Sequence, residues 1–62
     1  MEVIIDNLKK EVAFTGDVDS LLKALGLMRE EVVVKVNGRL VPDTKILSEK
    51  DRVEVIKVVF GG

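Results

Sequence analysis

The sequence of 62 residues contains no cysteine, histidine, tryptophan or tyrosine, only two phenylalanines and a single proline. Without cysteine there is no disulfide and no thiol nucleophile, and without Cys or His the common zinc sites and imidazole acid–base chemistry are excluded. No acidic run has the spacing of a calcium loop. Such a chain is expected not to be an enzyme in its own right and to bind no metal or cofactor of its own. No apolar run approaches the ~18 residues that a membrane-spanning helix needs, and Met1 opens no signal-peptide pattern. No membrane association and a cytoplasmic location are therefore expected. Ten basic residues against eleven acidic ones leave a net charge of −1, which argues against nucleic acid as a partner. The lack of glutamine and cysteine beside abundant Lys and Glu points toward a thermophilic source.

What is present is charge and aliphatic bulk. Charged residues make up 34% and hydrophobic residues 47% of the chain, a balance that favours a folded domain over disorder. One small domain is all that this length allows, and it buries only ~60% of the surface its unfolded form exposes. Met1, Val3 and Ile5 alternate with Glu2, Ile4 and Asp6, the period of a half-buried strand. Asn7 to Lys10 reads as a turn, and Val12 and Phe14 as the inward residues of a second strand. Asp17 is a good N-cap. Val18, Leu21, Leu22 and Leu25 then follow at the spacing of one helix face, with Gly26 placed to end the helix. Arg29 to Glu31 reads as an exposed connection. Val32, Val34 and Val36 form another strand, closed by Asn37-Gly38, a strong signal for a tight hairpin turn. Arg39 to Val41 makes a brief strand that Pro42 confines to an edge. Ile46 and Leu47 are expected to plug the core, and a last strand runs from Arg52 to about Val59. A hairpin, one helix and further strands around one core make an α+β domain. The predicted core is Val3, Ile5, Val12, Phe14, Val18, Leu21, Leu22, Leu25, Val34, Val36, Val41, Leu47, Val53 and Val55.

The last strand breaks its own period. With Val53 and Val55 inward, Lys57 also points inward, and Ile56, Val58 and Phe60 point out. A β-bulge near Val55 returns the apolar residues to the core. Alternatively, Phe60 folds back over an end of the sheet, or the strip is an apolar face meant for a partner, joined by Ile4 and Val33. Gly61-Gly62 follows this strip as a tail without side chains, able to thread a channel in which any Cβ clashes. Its α-carboxylate, with a reference pKa of ~3.3–3.7, is ionised at neutral pH and can attack a nucleotide phosphate.

Two segments carry a resemblance: Val34-Lys35-Val36-Asn37-Gly38-Arg39-Leu40-Val41-Pro42, and Asp51-Arg52-Val53-Glu54-Val55-Ile56-Lys57-Val58-Val59-Phe60-Gly61-Gly62. Together they resemble the ThiS/MoaD group of ubiquitin-like sulfur carriers, and equally the small archaeal ubiquitin-like modifier proteins related to them. The resemblance implies a β-grasp fold, a mixed sheet of four to five strands with one helix across it. It places residues 1–60 in a single domain and 61–62 in a flexible tail. It also implies that an activating enzyme uses Mg·ATP to adenylate Gly62, with Gly61 threading the tail, and that sulfur then converts the anhydride to a thiocarboxylate. The implied partners are that adenylating enzyme and a sulfur-accepting synthase or tRNA-thiolation enzyme, serving thiamin thiazole, molybdopterin or a tRNA base. In the modifier relatives the acceptor is a target-protein lysine. Ile4, Val33, Ile56, Val58, Val59 and Phe60 are the expected partner-binding residues.

Overall fold

The structure is a computed structural model and describes residues 1–58. Expectations for Val59, Phe60, Gly61 and Gly62, including the separate 61–62 tail, lie outside the described residues.

The chain runs β1 (Glu2–Ile5), β2 (Leu8–Glu11), β3 (Gly16–Asp17), helix α1 (Val18–Ala24), a single 3₁₀ turn (Arg29–Glu31), β4 (Val32–Val36), β5 (Arg39–Leu40), β6 (Ile46–Leu47) and β7 (Arg52–Lys57). Five strands form one sheet in the order β2-β1-β7-β4-β5, and β3 and β6 pair separately. Within the large sheet β1 and β7 run parallel, and the other pairs are antiparallel. β7 therefore lies at the centre of the sheet, its register fixed by β1 on one side and β4 on the other. The helix covers one face and leaves the other open.

Helix α1 is short because both of its ends are specified. The Asp17 carboxylate accepts from Ser20 N at 2.8 Å, and hydrogen bonds from Ser20, hydroxyl first, hold that carboxyl below its usual range. At the other end Leu25 is the cap and Gly26 takes φ +74°. Leu27 N donates to Leu22 O at 2.8 Å and Gly26 N to Lys23 O at 3.1 Å, the paired bonds by which a left-handed glycine satisfies the last carbonyls. The helix thus stops at Ala24, one residue before the predicted Leu25. Val18, Leu21 and Leu22 are buried beneath it against Val3, Val34, Val36, Leu47, Val53 and Val55. Every predicted core residue is either buried or packed against that cluster, which Met1 also joins.

The first hairpin differs from its prediction. The turn is only Asp6-Asn7, both at positive φ (52° and 65°), and Ile5 already pairs with Leu8. Two left-handed residues in succession make the turn whose twist matches the flanking strands, and Asp and Asn are the non-glycine residues that tolerate it best. Leu8 to Glu11 are therefore strand and not turn, all of them exposed on the sheet edge. Val12 and Phe14 lie beyond the strand but still pack on the core. Ile46 is a second correction. Leu47 is buried, whereas Ile46 is 68% exposed, because β6 pairs only with β3 and alternation sends just one of its two side chains inward. As described, β7 runs from Arg52 to Lys57, and the expected end near Val59 lies outside the described residues.

Candidate docking face and tail root

The central position of β7 decides where its side chains point. Its pairing with β4 runs without interruption from Val36↔Val53 through Val34↔Val55 to Val32↔Lys57. A bulge near Val55 would place two residues opposite one, and none is present. Val53 and Val55 are accordingly buried, and Ile56 stands 37% exposed on the open face, directly across from Val33 at 37%. Pairing extends one step beyond the strand, where Val58 N donates to Glu31 O at 2.8 Å, and Val58 is 39% exposed. On the other side β1 brings half-buried Ile4 level with Glu54, two residues before Ile56 on the same face. Ile4 and Ile56 share a shallow hollow with Asp6, Asn7, Glu54 and Lys57.

The structure thus assembles Ile4, Val33, Ile56 and Val58 at one end of the open face, beside the point where the chain leaves the sheet. Val59, Phe60, Gly61 and Gly62 lie outside the described residues. Lys57 has the core-side parity yet stays in water, its ammonium 3.3 Å from Asp6, because the sheet ends there. The other large exposed hydrophobics, Leu8, Met28, Leu40 and Ile46, are spread over separate segments, the ordinary scatter of a protein surface.

The opposite end of β7 is held by a cluster that the sequence reading missed. Asn37, at φ +53° in the Asn-Gly turn, donates through Nδ2 to Asp51 Oδ1 at 2.9 Å. Its Oδ1 accepts from Arg52 N at 3.0 Å, and its own N–H donates to Arg52 O at 2.8 Å. Ser48 N donates to Asp51 Oδ2 at 2.9 Å. These bonds, with Ser48 first and Asn37 second, keep the Asp51 carboxyl below its usual range. The hairpin turn and the start of β7 are therefore fastened together. The signal was available, since Asn37 and Asp51 are the polar anchors of the two quoted segments. Farther along the open face Arg52 Nε lies 3.2 Å from Glu2 Oε2, a contact that lowers the Glu2 pKa chiefly through the Arg52 hydrogen bond. Among the described residues no group of three or more Asp and Glu is placed to hold a metal ion, and no helix is long and apolar enough to cross a membrane.

A mixed sheet with a parallel central pair, one helix across one face and an open face beside the C-terminal root defines a ubiquitin-like β-grasp domain. The ThiS family model matches residues 3–62, and the chain belongs to that family of small sulfur carriers, which are not themselves enzymes. Its fold is similar to that of a crystal structure of a thiamine biosynthesis protein (ThiS) from Geobacter metallireducens. The two share 28% identity over 100% of each chain, with a TM-score of 0.68.

Proposed function

We infer that the sulfur travels as a thiocarboxylate on Gly62, and that the end of the open face formed by Ile4, Val33, Ile56 and Val58 docks the enzyme that activates it. The observation that carries this reading is the unbroken β7 register, which turns an apolar strip toward solvent at the root of the Gly-Gly end. The family match supports it by running through residue 62.

The chemistry follows from what a carboxylate can and cannot do. It is a poor electrophile, so it is first made the nucleophile. An oxygen of the Gly62 carboxylate attacks the α-phosphorus of Mg·ATP, pyrophosphate leaves, and an acyl adenylate forms. A partner persulfide then attacks the acyl carbon and AMP departs, leaving an acyl disulfide. A second thiol cleaves its S–S bond and frees the thiocarboxylate. The activating enzyme binds Mg·ATP and supplies the acid–base groups, since this chain has no His or Cys to offer. Its own part is to dock, to hold the tail root at Val58, and to present two residues without side chains. A thiamin thiazole synthase is the favoured sulfur acceptor over a molybdopterin synthase or a tRNA-thiolation enzyme, because the solved relative is described as a thiamine biosynthesis protein. Within the cell this chemistry belongs to the cytoplasm, where thiols stay reduced.

Mass spectrometry of the protein isolated from its own cells tests the reading. The mass gain of one oxygen exchanged for sulfur, located on Gly62 by fragmentation, is expected. Deleting Gly61 and Gly62 should abolish ATP-dependent adenylation and leave stability unchanged. Adenylation of the deletion variant at the full rate would overturn the reading, and a wild-type chain that binds the enzyme but is never adenylated would leave a non-covalent binding module in its place.

A further inference from the structure

Glu54 stands in the middle of the open face, half-buried, with Ile4 level on one side and Lys35 on the other. The cations around it are largely committed elsewhere. Arg52 Nε and Lys9 Nζ reach Glu2 at 3.2 and 3.5 Å, and Lys57 reaches Asp6 at 3.3 Å. Lys35, although directly across the sheet, forms no ion pair with it. Among the described residues Glu54 has neither a salt bridge nor a side-chain hydrogen bond, yet it lines both the hollow that holds Ile56 and the adjoining one that holds Arg52. Any surface that covers Ile4 and Ile56 also strips water from this carboxylate. A carboxylate desolvated without a partner is costly, and Lys35, the one cation directly across from it, forms no ion pair with it here, so a cation on the covering surface relieves that cost.

We propose that Glu54 is the specificity anchor of the docking face, receiving a basic side chain of the activating enzyme whose aliphatic stem lies on Ile4 and Ile56. Arginine suits the place best. Its planar head pairs with a carboxylate through two parallel bonds, and its stem covers apolar surface. The proposal rests on the reading of that enzyme as the partner.

The test is a binding titration of the adenylating enzyme from the same source against wild type, Glu54→Gln, Glu54→Lys and the exposed control Glu49→Gln, at low and high salt. Glu54→Gln keeps the shape and removes the charge. It should weaken binding about tenfold at low salt, the loss of one charge-assisted hydrogen bond, and approach wild type as salt screens the pair. Glu54→Lys should weaken binding further. Glu49→Gln should bind as wild type does, and Glu54→Gln and Glu49→Gln should keep the wild-type melting curve by circular dichroism, whereas Glu54→Lys, which faces Lys35 across the sheet, should melt slightly lower. Wild-type affinity and salt dependence in both Glu54 variants would overturn the anchor and leave the carrier reading standing. Failure of the wild-type chain to bind would overturn both.

Discussion

Val53 and Ile56 lie three residues apart in one strand and have opposite fates. Val53 is fully buried between the sheet and the helix, whereas Ile56 is 37% exposed on the open face, across from Val33. Both are aliphatic and β-branched, so hydrophobicity cannot explain the difference; strand parity and the one-sided placement of α1 do. On the core face, apolar residues stabilise the fold. On the open face the same residue types contribute little to folding and remain available for a partner. The ends of β7 repeat the contrast. Asn37, Asp51 and Ser48 bind its start through a polar cluster, whereas among the described residues its end is held by the ladder to β4, the bond from Val58 N to Glu31 O and an exposed Lys57–Asp6 pair. Among the described residues a cluster of side-chain hydrogen bonds reinforces the strand where it begins and none does so where it ends.

The largest expected effect belongs to the core face. Leu22→Ala should cost about 2–5 kcal/mol, the range for emptying a buried leucine site, read from denaturation midpoints by circular dichroism because the chain lacks Trp and Tyr. A neutral outcome would mean that the helix does not pack there. Asn37→Ala comes next. It removes two side-chain hydrogen bonds and places alanine at positive φ, and it should lower stability by about 1–2 kcal/mol. Asp17→Ala should lose the helix cap and destabilise less than Leu22→Ala, again measured by midpoint.

Acid should act through the same polar clusters. The folded Asp51 and Asp17 carboxyls lie below their usual range, so their contribution is complete above the unfolded value of about 3.9. It is lost as pH falls through the lowered folded values. Melting temperature should therefore be steady across neutral pH and fall below about pH 4. The fall should be smaller in Asn37→Ala, which removes one cause of the Asp51 shift.

Much of this arrangement was legible before any coordinates. The helix stripe from Val18, its Asp17 cap and Gly26 stop, and the Asn37-Gly38 turn are local signals whose physics lies within a few residues. The parity break at Ile56 was also visible, but its cause was not, because a bulge and an exposed strip leave the same trace in the sequence. Only the register against β4 separates them. Asp6-Asn7 was misread because a two-residue left-handed turn without glycine is a weak signal, and its short reach shifted the second strand back onto Leu8–Glu11. Ile46 was misplaced for a different reason. In a two-residue strand the side that faces inward is set by its partner, and β3 lies some thirty residues earlier in the chain. The Asn37–Asp51 clasp and the isolation of Glu54 are likewise properties of elements brought together by folding.

Ile56→Asp, followed by thermal unfolding and by titration with the activating enzyme, tests the central contrast most directly. A surface substitution usually changes stability by about 0.5 kcal/mol or less, whereas losing an interface hot spot costs about 2 kcal/mol or more of binding. The account predicts a melting curve like that of wild type together with that loss of affinity. A collapse in stability would contradict it, because it would make the open strip part of the core.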